Sequence, residues 1–329
     1  MFVGHGLLAF ALVALGCRAL GWSRERTLTV AVLAFAFGTL PDVDIAYAPV
    51  GLLGGVTGAF DAAEAFWQTG NLVHRAMTHS LPVALLAALA FALWSVRSRT
   101  ETFGRTRRRG AALLAVGLLA GLVAVATAVT GGLAGVVLAL FSAVGLAVTT
   151  LAARRGVGPV TVWATALFGL LSHPFGDMLT GEPPVLLYPF ETTVVAERVV
   201  LHPDPTLHLL GAFAVELATV WLAVYAALSL SDRRLRDHVR PRAAVGFGYA
   251  AAAVALPAPT LAASYQFVFS VLALGMVGPV RAARHDRRRF QTALLSRRPA
   301  RTDLPTAVVT GLTAVTLGAV GYTMAYLVV

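Results

Sequence analysis

The sequence predicts an all-α fold, a polytopic transmembrane helical bundle of about ten spans with both termini outside. Three observations carry this expectation. Apolar runs of the roughly 20 residues needed to cross a bilayer recur along the chain. The 329 residues are 57% hydrophobic and only 13% charged, with a mean hydropathy of +0.76, more apolar surface than a soluble domain can hide. All 26 basic residues are arginines, and all but Arg75 and Arg198 fall in alternate loops.

In chain order the candidate spans are 2–20, 27–41, 80–96, 111–129, 133–151, 160–177, 206–230, 243–257, 260–280 and 305–328. The first contains Ala14-Leu15-Gly16-Cys17, which resembles a lipoprotein cleavage site. No basic residue precedes that run, whereas Arg18, Arg24 and Arg26 follow it, so an uncleaved first helix is expected. Gly131-Gly132 separates the fourth and fifth spans, Pro257-Ala258-Pro259 the eighth and ninth, and Pro305 opens the tenth. Such tight breaks suit helical hairpins. The single cysteine, Cys17, excludes an intrachain disulfide framework and a cysteine-based zinc site.

The arginines decide the expected sides. They occupy the loops 18–26, 97–109, 154–155, 233–242 and 281–301. Basic loops stay cytoplasmic, which puts both termini outside, in a plasma membrane protein. The net charge of +10 is therefore a topology signal, with affinity for anionic inner-leaflet lipid as a by-product. The lipid bilayer is the expected partner, and nucleic acid is not, even with Arg287-Arg288-Arg289 present. On this topology His5, Asp42, Asp44, His74, His79, His173, Asp177, His202, Asp204 and His208 all fall at or beside the outer side. Only His238 and His285 lie among the inner arginines. The arginines alone set the sides, so the convergence is an independent observation.

Each polar group has a chemistry to offer. His5 lies near the outer end of the first span. Pro41-Asp42-Val43-Asp44 closes the second, and in a turn both carboxylates can reach one cation, of the hard or borderline kind that carboxylate oxygens suit. His74 and His79 are about 140° apart on an ideal helix, but both can chelate from a loop-to-helix junction. Thr78 or Ser80 is placed to cap the following helix or to orient an imidazole. Arg75 can hold a phosphate or a carboxylate, or pair with Asp61 or Glu64. His173 and Asp177, four apart, share one helical face, while Pro174 predicts a start or kink there. His202, Asp204 and His208 are candidates for additional ligands, for groups behind the ligands, or for plain interfacial residues. Glu216 is embedded deeper in the seventh span.

Taken in order, His5, Pro41-Asp42-Val43-Asp44, His74-Arg75-Ala76-Met77-Thr78-His79-Ser80, and Ser172 to Thr180 with Leu187-Tyr188-Pro189-Phe190 resemble one family. It is the inner-membrane metal-dependent hydrolases, known in bacteria under the label LexA-binding. The His-Arg-x-x-Thr-His-Ser element is the most specific match. The likeness covers about residues 1–230, a hydrolase-like membrane domain, with 231–329 as additional C-terminal transmembrane helices. It implies a metal site from His5, Asp42, Asp44, His74, His79, His173 and Asp177. Pro174-Phe175-Gly176 departs from the leucine-rich filling expected inside the last motif.

Four histidines and three aspartates exceed what one catalytic zinc takes, about three protein ligands and a water. Two divalent ions are expected, or one with a carboxylate base and supporting groups: zinc in the first place, manganese or iron as alternatives. Asp42 or Asp44 would act as base and Arg75 would stabilise an anionic transition state, on a lipid-linked phosphodiester or ester. The alternatives are a metal transporter, whose ligands should sit near the bilayer midplane, and a non-enzymatic membrane scaffold.

Overall fold

The computed structural model describes residues 2–97, 104–190, 192–261, 263–280 and 303–328. Arg99, His285, Arg287-Arg288-Arg289 and the other arginines of 281–301 lie outside the described residues. Among the described residues the chain is helical throughout, with one isolated bridge between Thr260 and Ala263 and no strand. The helices are α1 (Phe2–Ala19), α2 (Arg24–Thr39), α3 (Ala59–Gly70), α4 (Leu81–Arg97), α5 (Arg105–Thr130), α6 (Gly132–Arg154), α7 (Pro159–Thr180), α8 (Pro205–Ser229), α9 (Ala252–Ala255), α10 (Tyr265–Ala273) and α11 (Leu304–Tyr326). Among the described residues five helical runs are long and apolar enough to cross a membrane: Arg24–Gly54, Arg105–Thr130, Gly132–Arg154, Pro205–Ser229 and Leu304–Tyr326. Three shorter apolar helices accompany them. This is the construction of a multi-pass membrane protein.

The chain divides into two compact units. One holds Met1–Leu201 with Ala218–Ala226, the other His202–Leu217 with Ala227–Val329. In the first, α1, α2, α4, α5, α6 and α7 pack around Phe37, Phe91, Phe141, Met77, Leu138 and Leu170. Phe37 stacks on Phe91 at 5.6 Å between ring centroids. Gly145 clears the space for Phe91, whose ring fills the place where a Cβ would stand. A second clearance brings three helices together. Gly6 of α1, Gly38 of α2 and Gly169 of α7 meet backbone to backbone: a Cβ on Gly169 would come within 2.7 Å of the Gly38 nitrogen, and one on Gly38 within 3.1 Å of the Gly6 Cα. Small residues are what allow membrane helices to approach this closely.

Several threonines inside these helices are satisfied locally. Thr39, Thr127, Thr150 and Thr165 each donate to the carbonyl four residues back, the usual resolution for a hydroxyl without water. The α1–α2 turn uses Gly21 at φ 71°, and Ser23 caps α2 by accepting from the Arg26 N–H. Helix α7 continues through Pro174, where a start or kink is expected from sequence.

The second unit departs further from the expected spans. The run 243–257 forms a tight 3-10 stretch, Pro241–Ala251, followed by the single α-turn α9. The run 260–280 holds only α10 and a 3-10 turn, Leu274–Val277. Gly246 explains part of this: its backbone abuts α11, with the Ala314 carbonyl occupying the place of a Cβ. Phe213, Phe267, Val271, Val315 and Tyr322 form the core here.

The glycine contact makes a stability prediction. Gly169→Ala should lower thermal stability in detergent by about 1–3 kcal/mol, because overpacking must part α2 from α7. Gly117→Ala, with nothing within 4 Å of its Cβ position, should leave stability unchanged or raise it by up to ~1 kcal/mol through helix propensity. Equal melting temperatures for the two variants would contradict the assigned helix crossing.

Candidate metal centre

The seven expected ligands and Arg75 come from four places in the first unit. His5 is in the first turns of α1, and Asp42 and Asp44 lie in the 3-10 turn Leu40–Ile45 that extends α2. His74, Arg75 and His79 precede α4, and His173 and Asp177 lie in the last turns of α7. The starts of α1 and α4 and the ends of α2 and α7 therefore meet. His5, Asp44, His79, His173 and Asp177 are buried, while Asp42, His74 and Arg75 are half-buried.

His79 is the hub. Its ring is gripped end to end by the two carboxylates of Pro41-Asp42-Val43-Asp44. Nδ1 lies 3.4 Å from Asp44 Oδ2, and Nε2 lies 3.9 Å from Asp42 Oδ1. The Thr78 hydroxyl donates to Asp44 Oδ2 at 2.9 Å, so its oxygen accepts from His79 Nδ1 at 3.0 Å. The proton of this imidazole thus sits on Nδ1, and the Nε2 lone pair faces inward. Burial, the largest influence on His79, pushes its pKa down and holds the ring neutral, as a metal ligand must be.

His173 is oriented the same way by a different partner. Its Nδ1 lies 2.7 Å from the Gly38 carbonyl. A carbonyl only accepts, so Nδ1 carries the proton and Nε2 the lone pair. The two Nε2 atoms, of His79 and His173, are 3.0 Å apart. With both Nδ1 protons committed elsewhere, two neutral rings have no hydrogen to share between their Nε2 atoms. Two carboxylate oxygens flank this pair: Asp42 Oδ1 is 3.4 Å from His173 Nε2, and Asp177 Oδ2 is 3.1 Å from His79 Nε2 and 3.7 Å from His173 Nε2. Asp177 Oδ2, though this close to His79, lacks hydrogen-bond geometry and is buried without a donor, as is Asp42 Oδ2.

The remaining groups hold these in place. Asp177 Oδ1 accepts from His5 Nε2 at 3.1 Å, and the His5 ring lies 3.9 Å from that of His173. Gly176 is the reason it fits: a Cβ there would meet His5 Nδ1 at 2.5 Å. Asp44 is saturated, accepting from His74 Nδ1 at 2.9 Å, the Arg75 N–H at 3.2 Å and Thr78. Arg75 sits at φ 62°, a left-handed conformation costing ~1–3 kcal/mol, which turns its N–H to Asp44. Its guanidinium lies over Gly181, 3.6 Å from Asp177 Oδ2 and donating to the Glu182 carbonyl at 3.1 Å. Arg75 therefore turns to Asp177 rather than to the two acids near in sequence. Asp61 accepts from Thr57, and Glu64 from Gln68.

Among the described residues three groups are close enough to share an ion: His79, His173 and Asp177; His5, Asp42 and His173; and Asp42, His74 and His79. In a tetrahedral site with bonds of ~2.0–2.1 Å the ligand atoms stand about 3.3 Å apart. The two Nε2 atoms stand 3.0 Å from each other and 3.1–3.9 Å from Asp42 Oδ1 and Asp177 Oδ2, distances that bracket that value. Nitrogen and carboxylate oxygen ligands, with each imidazole's other nitrogen hydrogen-bonded, suit zinc or a neighbouring divalent ion.

His202, Asp204 and His208 belong to the second unit and to none of these groups. Asp204 caps α8, accepting from the Leu207 N–H at 2.9 Å and from Tyr326 Oη at 3.2 Å. The Leu207 amide is the largest cause of its lowered pKa. Sequence reasoning missed the Gly38 carbonyl and Gly176, since neither a backbone acceptor nor an absent side chain carries a chemical signature. It did anticipate Thr78 as a group that orients an imidazole and Ser80 as a cap: Ser80 Oγ accepts from Val83 N–H and donates to the Tyr188 carbonyl at 2.6 Å.

Replacing Asp44 by alanine should strand three donors and cost about 3–5 kcal/mol of stability. Asp44→Asn keeps the volume and one acceptor oxygen and should cost distinctly less. Thermal unfolding in detergent of both variants checks the ordering.

A family model, YdjM inner membrane protein, matches residues 1–235, and so covers every residue of the centre. No curated protein and no solved structure matches the chain. The ordered motifs, the helical membrane architecture and this match agree: the chain belongs to the YdjM inner membrane protein family.

Proposed function

We propose that the chain is a membrane-embedded metal-dependent hydrolase, with its centre at the extracytoplasmic membrane–water interface. The observation that supports this best is the pair of imidazole Nε2 atoms 3.0 Å apart, flanked by Asp42 Oδ1 and by Asp177 Oδ2, the latter buried without a donor. Four acceptors without a shared proton repel one another, and a cation between them removes the conflict. His79, His173, Asp42 and Asp177 would hold that ion. A second ion would be held either by His5 with Asp42 and His173 or by His74 with Asp42 and His79.

The chemistry a divalent ion supplies is water activation near neutral pH and polarisation of a phosphoryl or acyl oxygen. The chain's own groups then divide the work. Asp42, the less buried carboxylate and with Oδ2 undonated, is the proton acceptor. Asp44, fully engaged, positions His74, His79 and Arg75. Arg75, whose Nε–H donates to no acceptor and whose side chain is 19% exposed, offers charge to an anionic group at the rim. The ends of apolar helices surround the centre, which favours a lipid-linked phosphodiester or ester as substrate. The segment 231–329 is an accessory set of membrane helices.

The expected result is stoichiometric zinc, manganese or iron per chain by elemental analysis, with metal-dependent turnover of phosphodiester or ester lipids. His79→Ala and Asp177→Asn should abolish both while the protein stays monodisperse. Metal without turnover across such lipids would favour the scaffold reading. Failure to bind any of the three metals would remove the basis for a hydrolase.

A further inference from the structure

We propose that the hairpin between Asp44 and His74 is inserted into the bilayer leaflet on the side of the metal centre, with acyl-chain hydrocarbon as the partner of its apolar surface. This goes beyond the hydrolase reading and does not depend on it. The hairpin is built from the 3-10 stretch Ala48–Gly54, a short link and α3. From Ile45 to Phe60 it carries no charged residue.

In a 3-10 stretch, residues three apart eclipse one another, and here the faces divide by size. Ala48 and Gly51 form the face against α3: Gly70 lies against Ala48, and a Cβ on Gly51 would meet the Ala65 carbonyl and the Thr69 side chain. The hairpin therefore closes on small residues. Val50 and Leu53, also three apart, are turned outward. Leu53 is 83% exposed and Val50 60%, with Leu52, Val56 and Phe60 exposed beside them.

Helix α3 continues the division. Asp61, Glu64 and Gln68 share one side, and Phe60, Ala63 and Trp67 share another, each set at i, i+3 and i+7. Asp61 accepts from Thr57 and Glu64 from Gln68, so the acidic side is exposed and locally satisfied. Phe66 packs edge-on against Trp67 at 6.1 Å between ring centroids. A polar side opposed to an apolar, aromatic one is the build of a helix that lies in the plane of the membrane interface.

Continuity decides what covers the apolar side. Arg24–Gly54 is one apolar helical run, which leads from the α2 span straight into the hairpin. The hairpin is then tied back at the end of that span. Tyr47 Oη donates to the Gly70 carbonyl at 2.8 Å and accepts from the Val73 N–H at 3.1 Å, beside the 2.9 Å hydrogen bond between His74 and Asp44. An uncharged tip held at that level has hydrocarbon within reach, whereas in water it would expose the kind of contiguous apolar patch that aqueous surfaces rarely carry.

The test uses the full chain in phosphatidylcholine nanodiscs. Cys17→Ala removes the single cysteine, and an environment-sensitive NBD label is placed at Leu53→Cys or at Glu64→Cys. The label at 53 should show blue-shifted emission and be quenched several-fold more by nitroxide-bearing acyl chains than the label at 64. Iodide in the water should reverse that order. Iodide quenching at 53 as strong as at 64 places the tip in water and overturns the proposal. A blue-shifted label that neither quencher reaches means that protein covers the tip, a second copy of this chain or another part of the same one, and overturns it as well. If Leu53→Cys fails to fold, Val50→Cys is read by the same criteria. Neither quencher reports metal or turnover, so failure here and failure of the hydrolase reading are distinguishable.

Discussion

Two imidazole nitrogens 3.0 Å apart, each with its lone pair turned towards the other, constrain everything around them. The orientation is imposed from behind. The Gly38 carbonyl fixes the proton of His173, and Thr78 with Asp44 fixes that of His79. Those partners arrive only because α1, α2 and α7 touch at Gly6, Gly38 and Gly169. A methyl group at any of these crossings would separate the helices that carry His5, the two aspartates and His173. Backbone proximity deep in the helices thus sets side-chain geometry at their ends.

The centre also shows how an apolar bundle tolerates buried ionisable groups. Charged or polar atoms away from water are costly unless each finds a partner. Here the partners are mutual: Asp44 accepts from three neighbours, Asp177 Oδ1 takes the His5 proton, and Arg75 adopts a strained backbone conformation to complete the set. Among the described residues seven buried side-chain atoms are left without a partner, and three of them, Asp42 Oδ2, Asp177 Oδ2 and Arg75 Nε, belong to this one cluster. A structural network would be expected to close on itself. This one leaves open the atoms a ligand would use.

The same helices carry opposite chemistry at their two ends. α1 begins with His5 and ends with Arg18. α4 follows His79 and ends with Arg97. α7 ends at the centre and follows Arg154 and Arg155. Histidine and aspartate at one end require shelter and mutual contact, whereas arginine at the other tolerates the lipid–water boundary through its long stem.

The sequence by itself determined the class of protein and the cast of the centre. Hydropathy is a property of composition along a line, and His-Arg-x-x-Thr-His-Ser or His-x-x-x-Asp is readable wherever it folds. The pairing of Asp42 and Asp44 could be read, but not its division, in which one carboxylate grips each end of the His79 ring. That depends on a 3-10 turn whose side chains diverge. The run 243–257 looked like a span because composition cannot tell an α-helix from a tighter coil. Gly246, pressed against α11, decided the matter through a contact far away in sequence. The roles of Gly38 and Gly176 were likewise settled only in three dimensions, because what they contribute is a carbonyl and an empty volume, and a sequence records neither.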